Sequence, residues 1–313
     1  MVKVQLHMHT TASRGTRIKY DSVITPREAI NVLALRGIDA VVVTDHNTTS
    51  SFELMRYFGL KRGILVIRGI EISTLDGHVI GIGVSEGIDD EVRRKISELT
   101  VEEAVDMIKD FGGEVYIPHP FDVQRKGIGR RIFDIEGIVE VFNPMNIFRF
   151  ENDLANAVAT FLKRPKAVGS DAHTPEFLDV CVTKLSSSLD EESIIYNLKK
   201  GKVTFENCRY MTLKEIKNWI MRRMILSYDD IKGKIREGWP EDCWYMKLAN
   251  NKIMRKLETL TLDFGIRNPE SRIWDLVSFI SYSFTSLYAY RVKKYYCELI
   301  SKHDSSKNYL CIM

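Results

Sequence analysis

About seven short runs rich in β-branched residues alternate with amphipathic segments over the first 210 residues of this 313-residue chain, and that alternation restricts the fold more than any other feature. "VKVQL" leads to "TPREAINVLALRG", where Thr25 can cap a helix, Pro26 takes its first position, Glu28 stands three residues on and Gly37 ends it. "DAVVVTDH" then reads as a buried strand. The pattern continues through "SSFELMRYFGLKRG" and "ILVIRGIEIS", "GHVIGIGV", "TVEEAVDMIKDFGG" and "EVYIPHP", "GIVEVFNP", and "ENDLANAVATFLKR" and "KAVGSDAH". Repeated strand, helix, strand predicts parallel β-structure with right-handed crossovers. So many strands in this length fit a closed or nearly closed (β/α) barrel better than an open sheet.

The polar residues inside these runs then carry the argument. His7 and His9 in "HMH" share one face of an extended segment. Asp45 and His46 end "VVVTDH", Glu71 ends "LVIRGIE", His119 ends "VYIPH", and Asp171 and His173 follow "KAVGS". In a barrel the carboxyl ends of the strands converge on one rim, so residues far apart in sequence can line one pocket. Six of the seven histidines precede residue 174. Imidazoles and carboxylates buried together are costly without a partner, and a shared cation is the usual solution. Histidine and carboxylate donors without thiolates suit manganese, zinc or iron.

The ordered set "HMH", "TDHN", "GIEIS", "GHVIGIG", "PHP" and "GSDAH" resembles the PHP (polymerase and histidinol phosphatase) family of metal-dependent phosphoesterases, over roughly residues 1–205. The resemblance implies an α/β fold, a distorted seven-stranded (β/α) barrel of PHP type; beyond it, patterns such as "TLKEIKNWIMRRMI" predict a mostly α-helical C-terminal region. It implies that His7, His9, Glu71 and Asp171 hold one metal, that Glu71 bridges to a second held also by His78 and His119, and that His46 and His173 hold a third. The chain departs from the family in the loop after "HMH". Where many relatives place Asp in Ser-Asp-Gly, it reads "SRG", and Asp21 in "KYDSVITP" is the candidate for the missing ligand.

Two or three divalent metals would activate a hydroxide for attack on a phosphate ester, so no Ser or Cys nucleophile is required. His173 and Asp21 are the candidates for protonating the leaving group. Arg14 and Arg17 are candidate substrate contacts, and Asp45 is expected to orient His46. Glu140 in "IVEVF" reads as a carboxylate behind the ligands or an interior ion-pair partner. Asn143 reads as a turn residue before proline. The basic loop holding Arg125, Lys126, Arg130 and Arg131 reads equally as a cover for the site and as solvated surface.

Residues 1–210 are thus expected to form the phosphoesterase barrel and residues 211–313 a helical extension. The net charge of +3 is uneven: 27 basic against 30 acidic residues up to 210, and 18 against 12 beyond. That surplus is compatible with an anionic partner, nucleic acid included, but forms no recognised nucleic-acid module. The uncharged run "LVSFISYSFTSLYAY" at 276–290 is shorter than a membrane span and suits a buried helix or a homo-oligomer contact. Five scattered cysteines without C-x-x-C spacing indicate neither a disulfide framework nor a zinc ribbon. The chain opens on a strand pattern without a signal peptide, so a cytoplasmic protein is expected. The leading expectation is a hydrolase of phosphorylated small molecules or nucleotides. A nuclease with the same centre is the first alternative and a noncatalytic barrel scaffold the second; a scaffold should have lost ligands, whereas this chain offers a candidate at every position.

Overall fold

The computed structural model describes residues 1–14, 18–123, 127–146, 148–238, 250 and 252–267. The chain begins β1 (Val2–Gln5), α1 (Pro26–Leu35), β2 (Ala40–Val43), α2 (Phe52–Arg62), β3 (Leu65–Ser73) and β4 (His78–Ile82). It continues α3 (Ile88–Lys95), α4 (Val101–Asp110), β5 (Glu114–Ile117), β6 (Ile138–Phe142), α5 (Arg149–Phe161) and β7 (Lys166–Val168). Then come β8 (Cys181–Leu185), α6 (Glu191–Lys199), β9 (Val203–Asn207), α7 (Leu213–Leu226), α8 (Tyr228–Glu237) and α9 (Lys252–Arg267).

Local chemistry sets several boundaries. The Thr25 side chain accepts from the Glu28 amide to start α1, with Pro26 at its first position, and the chain leaves through Gly37 at φ 65°. Thr100 with Glu103 at α4, and Thr212 with Glu215 at α7, form reciprocal capping boxes.

The strands form one sheet in the order β7-β6-β5-β4-β3-β2-β1-β8-β9. Past the ends of β1 and β7 the ring is drawn together by a parallel bridge between Met8 and Ala172. The His9 amide donates to Ala172 O at 2.9 Å and the Ala172 amide to His7 O at 3.3 Å. At the other end of this seam β8 pairs antiparallel with β1, and β9 with β8, which distorts the barrel.

Among the seven strands β1 to β7, one breaks the expected parallel pattern. β4 runs antiparallel to both β3 and β5, because only Thr74–Gly77 separate it from β3 and four residues cannot make a crossover. The hairpin puts the first residue of β4, His78, opposite Ser73 at the end of β3. His78 therefore reaches the same rim as the carboxyl ends of the parallel strands.

Alternation along the strands separates core from site. Ile70, Ile72, Val79, Val115, Ile117, Val139 and Val141 face outward into one apolar cluster with α3, α4 and α5. The inward set Val42, Ile67, Ile80, Tyr116 and Ile138 fills the barrel. Glu71, His78 and Glu140 lie on the same inward register as Ile67, Ile80 and Ile138 but nearer the rim. Beyond residue 210, Ile231, Ile235 and Leu262 form a small cluster joined by Met224, Tyr228 and Ile18. Among the described residues no helix is long and apolar enough to cross a membrane. The run at 276–290, with Trp239, Trp244, Trp274, Cys243, Cys297 and Cys311, lies outside the described residues, as do Arg17, Arg125 and Lys126.

Candidate metal centre

Glu71 is the hub. Its Oε1 lies 3.0 Å from His78 Nδ1 and 3.2 Å from His119 Nε2; its Oε2 lies 3.2 Å from His7 Nε2, 3.1 Å from His9 Nε2 and 3.5 Å from His46 Nδ1. Asp171 Oδ1 stands 3.4 Å from His7 Nε2 and 3.2 Å from His9 Nε2. His173 Nε2 is 2.9 Å from Asp21 Oδ2, and His46 Nε2 is 3.7 Å from the same oxygen. The structure thus brings together the eight residues that the resemblance implied as donors and, with them, Asp21, the candidate for the ninth. Their donor atoms overlap in triads: His7, His9 and Glu71; His7, His119 and Asp171; His9, Asp171 and His173; His9, Asp21 and His46; and His46, Glu71 and His78. His46 therefore stands between the groups expected for the second and third metals.

These contacts fit cations better than they fit each other. The Nε2 atoms of His7 and His9 face one another at 3.2 Å. The Nδ1 atoms of His46 and His78 are buried near Glu71 oxygens yet aligned for no hydrogen bond, as expected of ligands aimed at a common ion. Burial lowers the affinity of His9 for its proton, but Asp171 and Glu71 outweigh it and carry the pKa up to about 10. Burial, with the charges of His9 and His78, brings His46 down to about 3. Burial opposes ionisation of Glu71, yet the surrounding imidazoles hold it well below the usual carboxylate range. The negative charge held on Glu71 among these imidazoles favours positive charge at this position, which a bound cation would supply.

The backbone is bent to make the cluster. His119 and Asp171 sit at φ 26° and 48°, the side of the map that favours glycine, and strain of this kind accumulates where a side chain must be aimed. His119 is held there by its amide, which donates to Glu140 Oε2 at 2.8 Å. Glu140 is the anchor behind the ligands. It also accepts from His7 Nδ1 (3.0 Å) and Tyr116 Oη (2.8 Å) at Oε1, and from Asn143 Nδ2 (2.8 Å) at Oε2. With Nδ1–H committed to Glu140, His7 presents Nε2 to the cluster. Asn143, read from sequence as a turn residue, also reaches Asp171 Oδ2 at 3.2 Å. A Glu140→Gln variant would turn an amide group toward two donors. Metal affinity is expected to fall about 10–100-fold, measured by titration against a competing chelator.

Other expectations shift. Asp45 does not address the His46 ring; it accepts from the Thr10 amide and hydroxyl and from Ser51, pinning the loop after β1. The His46 amide instead donates to Ser13 Oγ at 3.0 Å, and that hydroxyl lies 3.2 Å from His9 Nδ1. Arg14 is exposed and its amide bonds His46 O. His46 and His78, both 12% exposed, mark the open side of the centre. Arg131 is engaged by Glu102, Asp134 and Asp76, so it braces its loop. Two residues of α7 also reach the centre, Arg223 and Trp219, the latter expected from sequence only to pack among helices. Arg223 Nη2 lies 3.3 Å from Asp21 Oδ1, and the Trp219 ring meets His173 edge-on at 5.2 Å. Nothing in their local pattern distinguishes them from ordinary helix residues.

Comparison with known proteins decides the family. The model of PHP-associated sequences (PHP_C) matches residues 149–203. An uncharacterized protein of Methanocaldococcus jannaschii is 35% identical over 159 residues, 49% of this chain and 89% of that protein. Phosphoribosyl 1,2-cyclic phosphate 1,2-diphosphodiesterase of Eggerthella lenta is 33% identical over 88 residues, 26% of this chain and 31% of the enzyme. The crystal structure of a Bacteroides vulgatus two-domain protein, containing a predicted PHP-like metal-dependent phosphoesterase, superposes with a TM-score of 0.53 at 18% identity, covering 71% of this chain and 69% of that one. The chain belongs to the PHP family of metal-dependent phosphoesterases. The superposition speaks to the PHP fold alone; the donor cluster described above is the chain's own.

Proposed function

We propose that this PHP-family chain hydrolyses phosphate esters of a small phosphorylated molecule or nucleotide. The observation that carries the reading is five imidazoles gathered within 3.5 Å of the two Glu71 oxygens, with Asp171, Asp21 and His173 beside them. His7, His9, Glu71 and Asp171 would hold one divalent ion, Glu71, His78 and His119 a second, and Asp21, His46 and His173 a third. Manganese, zinc and iron match the donors. When bound, such ions polarise the phosphoryl oxygens, acidify water and stabilise the entering and leaving oxygens.

The chain's own groups supply orientation and proton handling. His173 Nδ1 faces Asp171 O at 2.7 Å, which fixes the ring and turns Nε2 toward Asp21. Burial disfavours the Asp21 anion, but His173, His46 and Arg223 hold its carboxyl well below the usual carboxylate range. Asp21 is thus held as a carboxylate facing His173 Nε2, and this pair is the one proposed to hand a proton to the leaving oxygen. Exposed Arg14, beside the open His46 edge, is a suitable contact for substrate phosphate.

The test pairs metal analysis of the purified chain with hydrolysis of p-nitrophenyl phosphate and bis(p-nitrophenyl) phosphate in added manganese. Two or three metals per chain and turnover abolished by chelator are the expected result, and the preferred ester separates phosphatase from phosphodiesterase. A chain that stays metal-free and inert after reconstitution would overturn the reading and leave a scaffold.

A further inference from the structure

We propose that the helices after residue 210 complete the centre, by holding the loop that delivers Asp21, with Arg223 as the positioning residue. The inference rests on the metal reading above. Three successive residues of the loop are tied to α7 and α8. The Lys19 amide donates to Asp230 Oδ2 at 2.9 Å and the Tyr20 amide to Ser227 Oγ at 3.2 Å. Arg223 Nε donates to Tyr20 O at 2.9 Å while Nη2 pairs with Asp21 Oδ1 at 3.3 Å. Ile18, just before them, packs on Ile231, Ile235 and Leu262. From Ser22 onward the barrel takes over: Ser22 Oγ donates to His9 O at 2.8 Å, and the Val23 amide to His173 O at 3.0 Å.

The two oxygens of Asp21 are thereby divided. Oδ1 is held by the guanidinium, and Oδ2 is left toward His173 and His46. A forked guanidinium can fix both the Tyr20 carbonyl and the neighbouring carboxylate, which a single ammonium cannot do as well. The same helix steadies the partner imidazole. Trp219 packs edge-on to His173, and Arg222 Nη1 bridges both oxygens of Glu176 at 3.0 and 3.1 Å, three residues beyond it. The aspartate displaced from the family's usual place is thus held by a segment outside the barrel.

The experiment measures manganese bound per full-length chain, its affinity, and kcat and KM, for wild type, Arg223→Ala, Arg223→Lys and the Ser227→Ala/Asp230→Ala pair. The expected result is loss of one metal from Arg223→Ala, through about 10–100-fold weaker binding at that position. kcat should fall with it, KM and the thermal midpoint should stay near wild type, and Arg223→Lys should recover part of the binding. The Ser227/Asp230 variant leaves Arg223 in place, loosens the backbone ties together with the Asp230–Lys234 pair, and should move the same way, which covers an Arg223→Ala protein that fails to fold. Wild-type metal number and affinity in all variants would overturn the inference. So would an unchanged metal count with raised KM, which would make Arg223 a substrate contact. Wild type that binds no metal overturns the metal reading itself, a result distinguishable because it appears before any substitution.

A different pair of residues carries a second inference independently. Cys181 is buried in β8, and Cys208 follows β9, with Asn207 and Cys208 at φ 69° and 56° turning its side chain back. The two sulfurs are 3.0 Å apart. We infer that Cys181 and Cys208 form a dithiol that low-molecular-weight disulfides oxidise to an intrachain bond. Half-buried Cys208 is the entry point: the Cys181 thiol hydrogen-bonds it and lowers its pKa, whereas burial pushes Cys181 up. Cys208 thiolate attacks one sulfur of RSSR and expels RS⁻. Cys181 then loses its proton, attacks the Cys208 sulfur and expels the second RS⁻, so two protein thiols become one disulfide and RSSR becomes two RSH. Oxidised glutathione should remove the thiols of Cys181 and Cys208 and yield one crosslinked peptide pair joining 181 and 208, absent in Cys208→Ser. A stable glutathione adduct on Cys208 with Cys181 still reduced would overturn it.

Discussion

Replacing Glu71 with Gln is expected to abolish hydrolysis and to empty the two proposed metal positions that share this carboxylate, while leaving the barrel folded. Its two oxygens serve five imidazoles at once: His7, His9, His46, His78 and His119 all lie within 3.5 Å of them. An amide is nearly isosteric, but it lacks the negative charge and offers one acceptor oxygen where two are used. The apolar clusters that hold the sheet do not include Glu71, so unfolding is not the expected outcome. A loss of at least ~1,000-fold in kcat/KM corresponds to about 4 kcal/mol of transition-state stabilisation. The check is metal content and turnover of the purified variant in excess manganese, beside a circular dichroism melt. Turnover within tenfold of wild type would remove Glu71 from the centre of the mechanism.

The second large effect comes from a residue with no side chain. A Cβ on Gly169 would lie 2.5 Å from Glu140 Oε1, 2.6 Å from His7 Cβ and 3.1 Å from Tyr116 Oη. None of the three can yield easily. Glu140 accepts four hydrogen bonds, and His7 is clamped between Glu140 and the cluster. Gly169→Ala should therefore cost about 1–3 kcal/mol of stability, as overpacking in cores does. It should also weaken metal binding, because the clash pushes on the two groups that set the His7 ring. A lowered thermal midpoint with reduced metal content is the expected pair of results. A variant with wild-type melting and metal content would show that the space is not needed.

Sequence reading reached the barrel and its rim because both rest on local signals. The Thr25–Pro26 helix start, the apolar runs and the histidines at strand ends are each visible within a few residues. Antiparallel β4 was less legible, although the short gap between "GIEIS" and "GHVIGIG" already argued for a hairpin. Asp45 and Asn143 were assigned by neighbourhood in sequence, and both act elsewhere: Asp45 on Thr10 and Ser51, Asn143 between Glu140 and Asp171. Arg223 was out of reach, since its partner Asp21 lies 202 positions earlier in the chain and only tertiary packing joins them.

The seam at Met8 and Ala172 has a consequence for the order in which the protein is made. His7 and His9 leave the ribosome early, but their partners Asp171 and His173 follow roughly ten to thirty seconds later at ordinary elongation rates. Until then the first imidazoles have only part of their cage. On the proposed metal reading, capture of the ion is then a late event in biosynthesis, and a nascent chain arrested before residue 171 should bind manganese weakly however long it waits.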